Sequence, residues 1–174
     1  MFDNKVVEKI NDFLKKNINI IFEFPFNGLL LFGGDSIKGF VIGEEIKDYK
    51  FYLHTFEKEN IKDFFKKNKL NYEKISENEY QFIYNKIQFT IISINDLIYT
   101  REFNTDLLFY DVHRKQLISF GIKHALKKRQ IIIYNYKIIK KIKGSNYLSK
   151  KIETAKKFTR YMNRNNKIIW VKKK

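Results

Sequence analysis

From Val112 to Lys174 the chain carries 20 basic side chains and a single acid, Glu153, whereas Met1 to Asp111 carries 15 basic and 18 acidic ones. A segment so one-signed repels itself in any compact fold unless something anionic neutralises it. A generally Lys-rich composition would raise lysine throughout and leave the acids in place; here the acids vanish from one part only. The partner implied is a polyanion, nucleic acid before any other. The chain is nevertheless no disordered tail. Of its 174 residues 44% are apolar, including 17 Phe and 11 Tyr. That is enough for a real core in a chain the size of one domain, which can bury roughly 70% of the surface its unfolded form exposes.

Several function classes drop out. There is no cysteine, hence no disulfide, no thiolate metal site and no thiol nucleophile. His54, His113 and His124 are too far apart for a local metal motif, and neither Gly-x-Ser-x-Gly nor a P-loop occurs. The start, MFDNKVVEKI, lacks a basic n-region followed by an apolar run, so no secretory signal is expected. The longest apolar stretches, Gly28 to Gly33 and Ile131 to Tyr134, are far short of the ~20 residues of a membrane span. The expectation is an intracellular protein, cytoplasmic or organellar, with no membrane partner.

Periodicity orders the elements. Val6, Ile10, Phe13 and Leu14 predict a helix near 4–16 behind Asp3 and Asn4. Ile18 to Phe24 and Leu29 to Phe32 read as strands around the turn Pro25-Phe26-Asn27-Gly28. A short helix from Ser36 to Ile42 ends at Gly43, and Asp48 to His54 alternates as a strand. Ile61, Phe64, Phe65 and Leu70 stripe a helix near 57–68. Tyr80 to Tyr84 and Ile87 to Ile94, joined by Asn85-Lys86, form a hairpin. Strands are expected at Leu107 to Val112 and Gln130 to Tyr136.

A last helix runs from about Asn146 to Asn165. Leu148, Ile152, Ala155, Phe158 and Met162 share one arc, while Lys150, Lys157, Arg160 and Arg164 share the opposite one. Four cations in a line would hold a nucleic-acid backbone, at a salt slope of about −0.7 per phosphate for a single strand. The ordinary alternative is a solvated helix face, but such a face normally mixes signs. Lys127, Lys128, Arg129, Lys140 and Lys141 extend the basic set. Among the aromatic residues, Phe51, Tyr52, Phe56, Tyr80, Phe82 and Phe89 read chiefly as core. Tyr134, Tyr136, Tyr147, Tyr161 and Trp170, set among lysines, are the better base-stacking candidates.

The segment Gly34-Asp35-Ser36-Ile37-Lys38-Gly39-Phe40-Val41-Ile42-Gly43-Glu44-Glu45-Ile46-Lys47-Asp48-Tyr49-Lys50 resembles the head-domain signature of class II tRNA nucleotidyltransferases (CCA-adding enzymes) and bacterial poly(A) polymerases. That signature is Gly-Gly-x-Val-Arg-Asp, three apolar-leaning positions, Gly, four spacers, then Asp-x-Asp. Arg101-Glu102-Phe103-Asn104-Thr105-Asp106-Leu107-Leu108-Phe109-Tyr110-Asp111 is similar to the family's Arg-Asp-Phe-Thr-Ile-Asn-Ala-Leu-x-Tyr-Asp. Leu117-Ile118-Ser119 and Gly121-Ile122-Lys123-His124-Ala125-Leu126 echo the Leu-Ile-Asp and Gly-x-x-Asp-Leu that follow. The matches cover about residues 28–132. The resemblance implies a nucleotidyltransferase-like α/β fold with a mixed sheet and flanking helices; with the charge pattern, the expectation is such a domain over 1–132 and a basic, helical C-terminal extension over 133–174 packed on it.

It also implies a chemistry this chain departs from. Nucleotidyl transfer in that family uses two or three carboxylates to hold two Mg²⁺ about 4 Å apart. Asp48 matches the first. Lys50 stands at the second, where an ammonium repels a divalent ion, and no carboxylate occurs near Gln88 to Thr90 for the third. Gly39 replaces an aspartate, Asp35 a glycine, Glu102 an aspartate and Asp106 an asparagine; Arg101 is kept and can meet a phosphate or pair with Glu102 or Asp106. Asp35, Glu44, Glu45 and Asp48 could still share one rim.

The expectation is therefore a catalytically degenerate RNA-binding subunit of a ribonucleoprotein or RNA-processing complex. It needs no cofactor and no metal, with tRNA or rRNA and a protein partner as its company. Two alternatives stay open. One is an active, Mg²⁺-dependent enzyme adding nucleotides to RNA 3′ ends through Asp48. The other is a structural protein of a ribosome or virion.

Overall fold

The structure, a computed structural model, describes residues 4–24, 29–54, 59–94, 102–119, 122–164 and 168–174. Phe56 and Arg101 lie outside these residues, as do the side chains of Asp35, His54 and His124.

Helix α1 (Asn4–Ile18) buries Val6, Ile10, Leu14 and Ile18, one residue per turn along one stripe. The strand expected over 18–24 is instead a 3₁₀ turn, Asn19–Glu23. Ile18, Ile21 and Phe24 are the buried residues there. Their spacing of three is the 3₁₀ period, which a short apolar run does not distinguish from a strand.

The main sheet has seven strands in the order β3-β4-β5-β2-β1-β6-β7. They are β1 (Leu29–Gly33), β2 (Tyr49–His54), β3 (Tyr72–Ser76), β4 (Glu79–Tyr84), β5 (Ile87–Ser93), β6 (Leu108–Asp111) and β7 (Gln116–Ser119). Helix α2 (Asp35–Ile42) follows β1, and α3 (Glu59–Lys67) follows β2. Only β2 and β5 run parallel; the other neighbouring pairs are antiparallel. This is the mixed sheet with flanking helices that the sequence led one to expect. The β4–β5 turn has Asn85 at φ 50° and Lys86 at φ 67°, the left-handed pair a tight hairpin needs.

Side chains alternate across the sheet. Leu30, Phe32, Phe51, Leu53, Phe82, Phe89 and Ile91 turn to the helices and form the large core with α1, α2 and α3. The strand aromatics Phe51, Phe82 and Phe89 are at most 2% exposed, so they are core and not stacking surfaces. On the other face, Leu31, Tyr52, Leu107 and Phe109 form a smaller cluster. Gly33 sits between the faces, and a Cβ there would collide with the Phe109 ring.

The basic C-terminal part is built from α4 (Ile122–Lys128), β8 (Gln130–Ile133), α5 (Tyr136–Lys143), α6 (Ser145–Asn163) and β9 (Trp170–Lys173). The strand expected to reach Tyr136 stops at Ile133, because Asn135 adopts a left-handed φ of 52° and opens α5. Strands β8 and β9 pair in parallel as a separate two-stranded sheet. Phe103, Ile131, Ile133, Ile139, Leu148, Ala155 and Ile169 close a second core beneath it. Helix α6 spans both cores, since Phe158 belongs to the large one. No helix among the described residues is long and apolar enough to cross a membrane.

Candidate functional site

Three stretches converge on a cleft of about 310 Å³: the start of α2 (Ser36, Gly39), the run from Glu44 into β2, and the first turns of α6 with Tyr147, Lys150, Lys151 and Thr154. The β1–β2 ladder ends at Phe32 and Phe51, so the backbone of β2 ahead of that point has lost its partner on this side. Ser36 replaces it. Its hydroxyl donates to the Asp48 carbonyl and accepts from the Lys50 N–H, both at 3.1 Å. Gly34, at φ 67°, brings the helix start close, and a Cβ there would lie 2.9 Å from the Tyr52 hydroxyl.

Strand parity puts Asp48, Lys50 and Tyr52 on the sheet face away from α1 and α3. Lys50 lies opposite Thr90 in the parallel β2–β5 register. The Thr90 hydroxyl donates to Asp48 Oδ1 at 2.8 Å. Asp48 and Lys50 thus line one cleft, with the Thr90 hydroxyl on the carboxylate. Glu44 and Glu45 line the same cleft. Glu44 is engaged, accepting from Thr154 Oγ1 at 2.9 Å and Lys157 Nζ at 3.2 Å. Among the described residues no three His, Asp or Glu side chains come close enough to hold a metal ion.

Beside the cleft lies a buried polar cluster. Asp106, 4% exposed, accepts from Lys38 Nζ at 2.5 Å through Oδ1, and Lys38 is fully buried. Its Oδ2 accepts from the backbone N–H groups of Glu102 and Phe103 at 2.8 and 2.7 Å and lies 3.3 Å from Lys151 Nζ. Glu102 accepts from Lys143 at 2.5 Å through Oε1, and from Tyr147 at 2.6 Å and Lys151 at 2.7 Å through Oε2. Burial works to raise the Glu102 pKa, but the hydrogen bonds from Lys143, Lys151 and Tyr147 outweigh it and hold it down to about 2.

A pKa lowered on folding stabilises above the unfolded value, and that stability is lost as pH falls through the folded one. Glu102 should therefore contribute on the order of 2–3 kcal/mol at pH 5 and little at pH 2. Urea unfolding at the two pH values checks this, because Glu102→Gln should shrink the difference by about that amount.

The sequence placed neutralisation of the basic part outside the chain, yet acids from the first part reach across to it. Lys143, Lys151 and Lys157 are all ion-paired, the last at 3.2 Å with Glu44. Of the four cations read as one line on α6, Lys150 lines the cleft with Lys50 and Asp48, Lys157 is paired, and Arg160 and Arg164 are exposed. Lys127 and Lys128 are exposed in the last turn of α4, with half-exposed Arg129 behind them, and Lys140 and Lys141 are exposed on α5. These residues do not converge on the cleft lining. Sequence reasoning did not single out Lys38, Thr90, Lys143, Lys151 or Thr154. Only Lys38 had a signal, for it occupies the Arg position of Gly-Gly-x-Val-Arg-Asp.

The fold matches solved structures. The apo form of a tRNA-processing enzyme superposes at TM-score 0.52, with 17% identity over 76% of this chain and 37% of that one. A tRNA nucleotidyltransferase complexed with a primer tRNA and an incoming ATP analogue superposes at 0.50, with 16% identity over 70% and 37%. The fold is nucleotidyltransferase-like. A CCA-adding enzyme with ATP agrees at 0.50, with 16% identity over 75% and 34%. This nucleotidyltransferase-like chain spans about a third of the length of each. No protein-family model matches it, and no curated protein is recognisably similar to it in sequence.

Proposed function

We propose that this protein holds RNA by its backbone on a nucleotidyltransferase-like domain whose two-metal chemistry has been dismantled, as a subunit of a ribonucleoprotein or RNA-processing complex. One observation carries the reading: Lys50 lines the same cleft as Asp48, whose Oδ1 is already hydrogen-bonded to the Thr90 hydroxyl. Mg²⁺ usually takes one or two carboxylates besides phosphate oxygens. An ammonium lining the cleft favours a phosphate directly, with no metal between. Lys47 and Lys150 line the same cleft and add to that preference, whereas Lys151 is committed to Glu102 and Asp106. Relatives in structure include an enzyme solved with primer tRNA, which supports RNA as the polyanion.

The test is an extension assay with labelled RNA, each NTP and Mg²⁺. No incorporation is expected, while RNA binding in EDTA persists. Incorporation abolished by Asp48→Asn would overturn the reading in favour of an active, divergent transferase. The placement of Glu44 and Glu45 in the same cleft as Asp48 is what favours that second reading.

Binding itself has a signature. Four backbone contacts to a single strand predict roughly a 50-fold loss of affinity between 50 and 200 mM salt. Lys50→Glu with Lys150→Glu should weaken binding at least tenfold. Lys157→Ala, already paired with Glu44, should change it much less. Fluorescence anisotropy with a labelled oligonucleotide reads all three.

A further inference from the structure

The outer face of the β8–β9 sheet carries a second feature, away from the cleft lining. Ile131, Ile133 and Val171 turn inward onto the second core, so strand alternation turns Gln130, Ile132, Trp170 and Lys172 outward. The register sets Trp170 beside Gln130 and Lys172 beside Ile132. The ladder continues one step, since the Lys174 N–H donates to the Ile133 carbonyl at 2.8 Å. That step sets Lys174 beside Tyr134, its ammonium 6.0 Å from the ring centroid. Trp170 is 64% exposed, and among the described residues no aromatic ring packs on it. Lys127, Lys128 and Arg129 lead into the Trp170 end of the face.

We infer that this face is a stacking platform for single-stranded RNA, with a base on Trp170 and phosphates on Lys172, Lys174 and Lys128. The inference rests on the reading that the protein holds RNA, but assigns it a site of its own. An exposed ring with cations following it along the strand suits a chain whose bases are splayed and whose backbone is charged. A duplex hides its base faces and offers such a ring nothing. A membrane surface would favour a continuous apolar patch, whereas Gln130 and Lys172 interrupt this one.

The test uses the intact chain and its single tryptophan, whose emission reports on the site directly. Titration with a twelve-nucleotide single-stranded RNA should quench that emission saturably, and a duplex of the same length should quench it far less. Trp170→Ala should weaken single-strand binding roughly tenfold without altering the salt slope. Lys172→Glu with Lys174→Glu should reduce the slope instead. If RNA binds with no quenching and Trp170→Ala has no effect, the platform is wrong while RNA binding elsewhere stands. If no RNA binds at all, both readings fall. A blue shift with anionic phosphatidylserine vesicles and none of these RNA responses would make the face a lipid contact and overturn the proposal.

Discussion

Asp106→Ala is expected to cost on the order of 3–5 kcal/mol of stability, a fall in Tm of roughly 10 °C. The cause is the number of donors that one carboxylate serves. It faces the ammonium of Lys38, which has no exposed surface, at 2.5 Å. It accepts two backbone N–H groups at 2.7 and 2.8 Å and approaches Lys151 of α6 at 3.3 Å. Alanine takes this acceptor from all four at once, and the loss of a short ionic contact to a buried ammonium together with two backbone N–H bonds is the expensive part. Lys38→Met should be milder, about 1–2 kcal/mol, because Asp106 then keeps Lys151 and both N–H groups. Thermal and urea unfolding of both variants measure the difference. If Asp106→Ala lost under 1 kcal/mol, or if Lys38→Met were the more damaging, the carboxylate would not be the organising member of the cluster.

That cluster also shows where the sequence was legible and where it was not. Elements with a strong period were readable: the Val6-Ile10-Leu14 stripe, the Asn85-Lys86 hairpin and the apolar arc of α6 all fold as their spacing dictates. The nucleotidyltransferase-like architecture followed from motif order, because Gly34, Gly43 and Asp48 sit where chain geometry requires them. Short elements of the basic part were hidden. Trp170–Lys173 is a strand only because β8 offers its edge, and nothing in Trp-Val-Lys-Lys alternates. Tyr136–Lys143 spans two turns, too few for periodicity to stand out from the lysines. The site was half legible. The resemblance pointed to Asp48 and Lys50, and both line the cleft. Glu44 meeting Lys157, or Glu102 meeting Lys143 and Lys151, joins residues more than 40 positions apart. Charge counted along the chain therefore overstated how many cations an external partner must neutralise.

On the proposed reading, Lys50→Asp combined with Thr90→Asp should convert the cleft from a phosphate site to a cation site. Residues 50 and 90 are register partners, and Thr90 already touches Asp48, so the two substitutions set three carboxylates together. Without metal they repel one another; Thr90 is fully buried, and the doubly substituted protein should melt well below the parent. A divalent ion that binds only the folded state restores stability by mass action, about 2.7 kcal/mol at a hundredfold excess over its Kd. The Tm of the variant should therefore climb by roughly 5–10 °C in millimolar Mn²⁺, while that of the parent stays flat. RNA affinity in EDTA should move the opposite way, falling at least tenfold as the ammonium is replaced by carboxylates. The two readouts separate the roles assigned to Lys50. A parent protein whose Tm already rose with Mn²⁺ would mean that Asp48 and its neighbours hold a metal as they stand, and the case for dismantled chemistry would fail there.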